Sequence, residues 1–461
     1  MPDDPLMLSV SGMRGLVGRS LTPPVAARYG AAFGQHLKQT VASGRAPFVV
    51  LARDSRPSGP MIELSVAAGL IGVGCRVVRL GIVTTPGAAI MIPHLGADGG
   101  MVITASHNPI EWNGIKALRH DGVAPPSDEA AQLIDRFHAE SACYVPVEQL
   151  QPATDDDTTG DVHIERVLAQ VDAGMIRQRG LTVALDSVHG AGGPVTARLL
   201  DALGVRLVHL WAEPTGLFPH EPEPLRENIT GLCDAVREHR ADIGFVQDPD
   251  ADRLAIVDEL GTYIGEEYTL ALVTRHMMAR DAAADRTAVT NLSTSRMVDD
   301  IAARHDGRVV RTPVGESNVA AAMRHEGAMI GGEGNGGVMY PGVGLVRDSL
   351  IGIALVLESL AQTDGALSAI VADIPRYHML KSKRALPSGG FDATTMRDAL
   401  ARRFPGATFD EQDGVRIDWP DRWVHLRASN TEPVMRIIAE AATEADARDL
   451  IDQVTQVIEA G

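Results

Sequence analysis

The chain reads as an α/β protein of several units, on three observations. Short apolar runs suited to buried strands alternate with helical stretches. Turns rich in Gly, Asp or Ser stand where several of those runs end. A length of 461 residues exceeds what one core organises, so roughly three or four domains are expected.

The elements follow in order. Residues 48–52 form an apolar run that ends at Arg53, Asp54, Ser55 and Arg56. Residues 65–72 have helical character and 76–80 are strand-like. Residues 101–104 form the next strand, with turns at Asn108-Pro109 and at 112–116, where Asn113 precedes Gly114. Residues 181–186 run into a Gly-rich turn at 189–193 and a helical stretch to Leu203. Residues 243–246 enter an acidic loop and 254–258 leave it. Buried strands alternating with helices indicate layered, mainly parallel sheets.

Three breaks rich in Pro, Gly or acidic residues, at 152–161, 258–265 and 364–376, look like joints. They divide the chain into units at 1–153, 154–258, 259–374 and 375–461. In the last unit, strand-like segments at 415–419, 423–426 and 435–438 surround a polar loop and precede a terminal helix. That order reads as a small α+β domain.

Composition narrows the function. A net charge of −18 argues against nucleic acid or an anionic membrane as partner. No apolar run approaches the roughly 18 residues of a membrane span, and the opening residues lack the basic and apolar regions of a secretory signal. Cys75, Cys143 and Cys233 are scattered, without a Cys-x-x-Cys motif. They read as reduced thiols of a cytoplasmic chain. Lysine occurs only at 38, 116, 381 and 383, against 38 arginines. Each lysine therefore stands out, because lysine can give up its proton and arginine cannot.

Four constellations carry chemistry. Ser106 lies in Thr-Ala-Ser-His-Asn-Pro just past a strand, where its hydroxyl can act as a nucleophile or carry a phosphoryl group. His107 beside it suits an orienting hydrogen bond better than a base. Lys116 can pair with phosphate, or move a proton if its pKa is lowered.

Asp248, Asp250 and Asp252 alternate, so an extended loop points all three carboxylates to one side. Three like charges that close repel unless a divalent cation sits among them, and oxygen-only ligands suit magnesium. An EF-hand is a decoy: Glu259 falls at the twelfth position, but Arg253 occupies the place that needs glycine, and strands flank the loop.

Gly332-Glu-Gly-Asn-Gly-Gly337 matches the dinucleotide fingerprint in letters, but no helix follows to receive a pyrophosphate. Either the glycines form a structural turn, or they let backbone approach a ligand while Glu333 and Asn335 meet vicinal hydroxyls. Lastly, Arg427 and Arg436 flank Ser429, Asn430 and Thr431. Guanidinium plus neutral donors is good chemistry for a phosphate dianion. Arg14, between glycines in Ser11-Gly-Met-Arg-Gly15, completes the set, whereas Arg53 to Arg56 reads as structural.

In this order the four motifs resemble the α-D-phosphohexomutase superfamily, which interconverts hexose 1- and 6-phosphates. The resemblance spans Ser11 to Arg436. It implies a four-domain architecture of three related α/β domains and a smaller C-terminal α+β domain around a central cleft. The phosphoserine, metal, sugar and phosphate loops would then fall in domains I to IV.

It further implies that Ser106 is the phosphoserine and, with Asp248, Asp250 and Asp252, a ligand of one Mg2+. Arg253 would lie near the transferring phosphoryl group. Glu333 and Asn335 would contact the sugar, and Arg427, Ser429, Asn430, Thr431 and Arg436 would grip the far phosphate. Arg14 and Lys116 match positions implicated in proton handling. A hexose 1,6-bisphosphate would act as activator, a phosphosugar would be the small-molecule partner, and the chain would work as a monomer or homodimer.

One departure stands out. Many members carry Gly-Glu-x-Ser-Gly-His in the sugar loop, and here Asn335 replaces the serine and Gly337 the histidine. A proton role for that histidine cannot be carried over, which leaves more weight on Lys116. Gly-Glu-Gly-Asn-Gly-Gly-Val, with Ser-Gly-Met-Arg-Gly and Thr312-Pro-Val-Gly-Glu316, looks most like the phosphoglucosamine mutase branch. Phosphomannomutase or phosphoglucomutase activity is the near alternative. More distant ones are a metal-dependent sugar phosphatase and a non-catalytic phosphosugar sensor. A hinge near 365–380 is expected to move as ligand binds.

Overall fold

Four sheets organise the chain, in a computed structural model that describes residues 6–42, 44–280, 285–363, 365–385, 392–428 and 434–460. The first sheet holds β1 (Met7–Ser9), β2 (Gly12–Leu16), β3 (Phe48–Arg53), β4 (Arg76–Ile82), β5 (Gly99–Ile103), β6 (Trp112–Arg119) and β7 (Thr154–Asp155) in the order β1-β2-β6-β5-β3-β4-β7. Its central strands β3 and β5 are apolar on both faces. Val49, Leu51, Met101 and Ile103 join one cluster, and Val50, Ala52 and Val102 join another on the opposite side. Two buried faces explain why these runs show no polar alternation.

The second sheet holds β8 (Thr182–Asp186), β9 (Arg206–Leu210), β10 (Ile243–Gln247) and β11 (Leu254–Asp258) in the order β11-β10-β8-β9. The third holds β12 (Thr287–Asn291), β13 (Arg308–Thr312), β14 (Ile330–Glu333) and β15 (Gly337–Met339) in the order β13-β12-β14-β15. These two units share one core, which runs from Leu185 and Phe245 to Ile330 and Ile353. The helix Ser349–Ala361 lies within it, and its first twelve residues are all buried. Its apolar residues surround it on every side, the pattern of a helix packed all round.

The fourth sheet is antiparallel throughout: β16 (His378–Ala385), β17 (Thr408–Asp410), β18 (Val415–Asp418), β19 (Trp423–Ala428) and β20 (Val434–Ala441), ordered β16-β20-β19-β18-β17. It has its own core, closed by the helix Glu444–Ala460 through Leu450, Ile451 and Val454. The chain is thus three α/β units and a C-terminal α+β unit.

One expectation needs correction, and two are filled in. Residues 112–116 are not a turn but the start of β6, paired antiparallel with both β2 and β5. Gly114 serves close approach instead: a Cβ there falls 2.6 Å from Met13 O and 2.7 Å from Thr104 O. The first three sheets are mixed, each with a parallel centre and at least one antiparallel pair. In the last unit β16, β17 and the helix Ala393–Arg403 join the expected strands. Among the described residues, no helix is long and apolar enough to cross a membrane.

Candidate active site

The serine turn hangs from the end of β5. Ser106 is buried with φ 50°, a strained value for a residue with a side chain. Its N–H donates to Thr104 Oγ1 at 2.9 Å. Arg56 holds the turn from beneath. Fully buried and paired with Asp54, it donates to the carbonyls of Ser106 (2.7 Å), Asn108 (2.6 Å), Pro109 (2.7 Å) and Trp112 (3.0 Å). A planar guanidinium suits that task, since its five donors are fixed in one plane.

The strained turn aims Ser106 Oγ at Asp248, and it donates to Oδ2 at 2.7 Å. Asp248 sits between β10 and β11. The three aspartates gather through a turn closed by Ala251 N–H on Asp248 O (2.9 Å), with Ala251 at φ 55°. The expected extended loop is therefore a turn. The Gly-rich segment after β8 backs it, with Ala191 N–H donating to Pro249 O at 2.8 Å.

Asp248, Asp250 and Asp252 are all buried, each with a carboxylate oxygen within 4.8 Å of the others. Asp248 Oδ1 accepts the N–H groups of Asp252 and Arg253, both at 3.1 Å. Asp250 Oδ2 accepts Thr85 Oγ1 at 2.6 Å and Lys116 Nζ at 2.8 Å. Asp252 Oδ2 accepts Lys116 at 3.1 Å and Arg347 at 2.6 Å. Asp250 Oδ1 and Asp252 Oδ1 are buried and have no hydrogen-bond partner. Orphaned carboxylate oxygens beside a hydroxyl are what a hard divalent cation needs, so the residues fit magnesium.

Charge is distributed unevenly here. Burial, with Asp252 and Asp250 close by, pushes Asp248 well above the usual carboxylate range. Burial also opposes ionisation of Asp252, but Arg347, Lys116 and Arg253 outweigh it and hold that carboxyl below the range. Of the two roles the sequence leaves open to Lys116, the one that needs a lowered pKa is not favoured. Burial disfavours its charge, yet Asp250 and Asp252 more than compensate and keep it an ammonium.

Around this centre stand the other cationic candidates. Arg14 on β2 donates to Asn108 Oδ1 at 3.0 Å. Arg253 lies 3.9 Å from Glu223. His107 Nδ1 is 3.4 Å from Ser106 Oγ, the limit of a hydrogen bond. Burial, then Arg253 and Arg14, push its pKa well down, while Glu223 lies 3.8 Å from Nε2.

The glycine loop is the turn between β14 and β15, with no helix after it. Glu333 shares Arg347 with Asp252, and both its oxygens are engaged. Oε1 accepts Asn291 at 2.8 Å and Oε2 accepts Arg347 at 3.0 Å. Asn335 Oδ1 is buried without a partner.

Arg427 and Arg436 stand opposite each other on β19 and β20, and Lys383 on β16 stands opposite Arg436. Like charges directly opposite destabilise a sheet unless an anion joins them. Burial lowers the pKa of Arg427, Asp413 at 4.0 Å opposes that, and Glu333 of the glycine loop adds a smaller field of the same sign as Asp413. Ser429, Asn430 and Thr431 lie outside the described residues.

The fourth unit docks on the third beside this row. His425 Nε2–H donates to Asp413 O at 2.6 Å, which leaves Nδ1 to accept Ser293 Oγ–H at 2.9 Å. Burial pushes His425 down to about 4, consistent with that neutral ring. Val314 N–H, within the Thr-Pro-Val-Gly-Glu segment, donates to Asp413 Oδ2 at 3.0 Å.

Sequence reasoning missed Arg347, Thr85 and the placement of Glu316. Arg347 is one of 38 arginines and lies in no motif. Its neighbours Asp252, Glu316 and Glu333 come together only on folding.

Four such units around a serine set against three aspartates define a phosphohexomutase architecture. The chain belongs to the phosphoglucomutase/phosphomannomutase family. Its α/β/α domain I matches residues 7–143, domain II 161–261, domain III 266–377 and the C-terminal domain 387–457. A "Phosphoglucomutase/phosphomannomutase" of Thermococcus kodakarensis is 36% identical over 450 residues, covering 97% of each chain. A "Probable phosphoglucosamine mutase" of Methanopyrus kandleri is 37% identical over 451 residues, covering 97% of this chain and 96% of its own. Among solved structures, a phosphoglucomutase/phosphomannomutase family protein from Burkholderia thailandensis superimposes with TM-score 0.84 at 28% identity, covering 98% of both chains. A putative phosphomannomutase from Thermus thermophilus gives 0.82 at 26%, covering 99% of this chain and all of its own.

Proposed function

We propose that the chain interconverts glucosamine 6-phosphate and glucosamine 1-phosphate through a phosphoserine at Ser106. The observation that carries this reading is the Ser106 Oγ–Asp248 contact at 2.7 Å beside two orphaned carboxylate oxygens. It gives one hydroxyl a place to hold a phosphoryl group and a cation site next to it.

Asp248, Asp250, Asp252 and the Ser106 phosphate would hold one Mg2+, which supplies charge stabilisation to the oxygens that exchange phosphorus. Ser106 gives its phosphoryl to one sugar hydroxyl, which makes a bisphosphate. The intermediate turns over within the cleft and returns its other phosphoryl to Ser106. A free hexose 1,6-bisphosphate recharges a dephosphorylated chain, which makes it the activator. Arg253 neutralises charge on the transferring group. Lys116, held as an ammonium, donates to the oxygen that leaves, with Arg14 beside the same turn. Arg427 and Arg436, with Ser429, Asn430 and Thr431, grip the phosphate that does not react. Asn335 offers its carbonyl to the sugar, and Glu333 orients the loop.

The glucosamine preference rests on the sugar-loop sequence and on the Methanopyrus kandleri relative. The Thermococcus kodakarensis relative named for glucose and mannose substrates supports the near alternative. Comparing turnover of glucosamine, mannose and glucose 1-phosphates decides. Glucosamine 1-phosphate should lead, and equal or better turnover of mannose 1-phosphate overturns the assignment. Steady release of inorganic phosphate without a bisphosphate requirement would instead mark a phosphatase.

A further inference from the structure

We infer that Arg347 is a positioning residue of this reaction, lodged in the space that glycine at 337 leaves open, where it fixes the metal loop against the sugar loop. The inference rests on the mutase reading.

Gly337 opens β15 and is not among the glycines with positive φ, so its backbone does not demand glycine. Space does. A Cβ at 337 falls 2.3 Å from Arg347 Cδ and 2.8 Å from Cγ. The arginine stem therefore lies where any side chain at 337 would start. A side chain from another segment fills the gap.

The guanidinium reaches three carboxylates on three segments. Nη2 donates to Asp252 Oδ2 at 2.6 Å, Nη1 donates to Glu333 Oε2 at 3.0 Å, and Nε lies 3.2 Å from Glu316 Oε2. The backbone N–H of Arg347 adds a bond to Glu316 Oε1 at 3.1 Å. Its side chain is only 11% exposed. One planar group thus sets the distance and angle between Asp252 of the second unit and Glu333 of the third. An ammonium is a point charge on a flexible stem and lacks the rigid fork that bonds Asp252 and Glu333 at once beside Glu316. Removing the arginine takes that shared cation from Asp252, Glu333 and Glu316, which loosens both loops.

The test is a double-mutant cycle on the full-length protein. It reads KM and kcat for glucosamine 1-phosphate, Mn2+ affinity by calorimetry, and thermal melting. Arg347→Ala should raise KM and weaken Mn2+ binding by about 10-fold or more, the usual scale for groups that orient metal ligands. Arg347→Lys should not restore either. Gly337→His should reproduce both losses by displacing the arginine, and the double variant should be no worse than the worse single. Unchanged KM and Mn2+ affinity in Arg347→Ala, a wild-type-like Gly337→His, or losses that multiply in the double variant overturn the inference. If Arg347→Ala fails to fold, Arg347→Lys and Gly337→His carry the same comparison. A parent chain without mutase activity defeats the mutase reading alone, because the Mn2+ titrations still decide the coupling.

Discussion

Ser106 Oγ lies 2.7 Å from Asp248 Oδ2, so a strained turn of the first α/β unit meets the acidic turn of the second. The contact orders the chemistry: the hydroxyl and the cluster are 142 residues apart in sequence and one hydrogen bond apart in space. Ser106→Ala keeps the turn and removes the acceptor of phosphate. Mutase turnover, followed by product formation with bisphosphate present, should fall at least ~10³-fold. Retention of more than a tenth of the activity contradicts the role of Ser106.

Divalent ions should matter for stability as well as rate. Three buried carboxylates repel in the metal-free chain, and two of their oxygens have no partner. Treatment with a chelator should abolish turnover, and added Mg2+ should raise the melting temperature. At 100 times Kd the gain is about 2.7 kcal/mol. Asp250→Asn should blunt that rise. A melting curve indifferent to Mg2+ speaks against the site.

The serine turn depends on Arg56, which pairs with Asp54 and satisfies four carbonyls. Arg56→Ala leaves a buried aspartate and those carbonyls without their donor. Urea unfolding should show a loss of about 3–5 kcal/mol. A loss below 1 kcal/mol means water has replaced the guanidinium.

How much of this was legible in the sequence depends on whether the signal was local. Thr104 to Pro109 and Asp248 to Arg253 announce themselves because the reacting groups are neighbours in the chain. The apolar runs of β3, β8, β10 and β11 were legible for a similar reason: burial on both faces leaves continuous hydrophobic segments. Asn113-Gly114 misled, because the same dipeptide that favours turns also allows two strands to close on a side-chain-free position. Arg347 left no trace, since its role is defined by acids 14 to 95 residues away. The charge of Lys116 likewise depends on Asp250 and Asp252, 134 and 136 residues on.

A pH effect follows from His220, whose Nε2 lies 3.0 Å from Asp186 Oδ2 beneath the Gly-rich turn. Burial opposes its charge, but the bond to Asp186 and that carboxylate's field outweigh burial and raise its pKa above 6.5. A raised folded-state pKa means stability is fully present below pH 6.5 and is lost as pH climbs through the folded value. Melting temperature should therefore decline over that window in the parent, and His220→Gln should flatten the decline. An identical slope in the variant rules the pair out as its source.

The fourth unit meets the third through His425, Ser293, Asp413 and Val314, beside the arginine row. Ligand that joins the sugar loop to that row should change the spacing of the two units, with a hinge near 365–380. Small-angle scattering should show a smaller radius with glucosamine 1-phosphate and bisphosphate present. An unchanged radius counts against closure.

The most direct test of the account is intact mass with peptide mapping of the purified chain after exposure to glucose 1,6-bisphosphate and Mg2+. The account predicts one added phosphoryl group, on the peptide containing Ser106, that survives turnover of glucosamine 1-phosphate and is absent from Ser106→Ala. A fully active protein that never carries phosphate at Ser106 would contradict it.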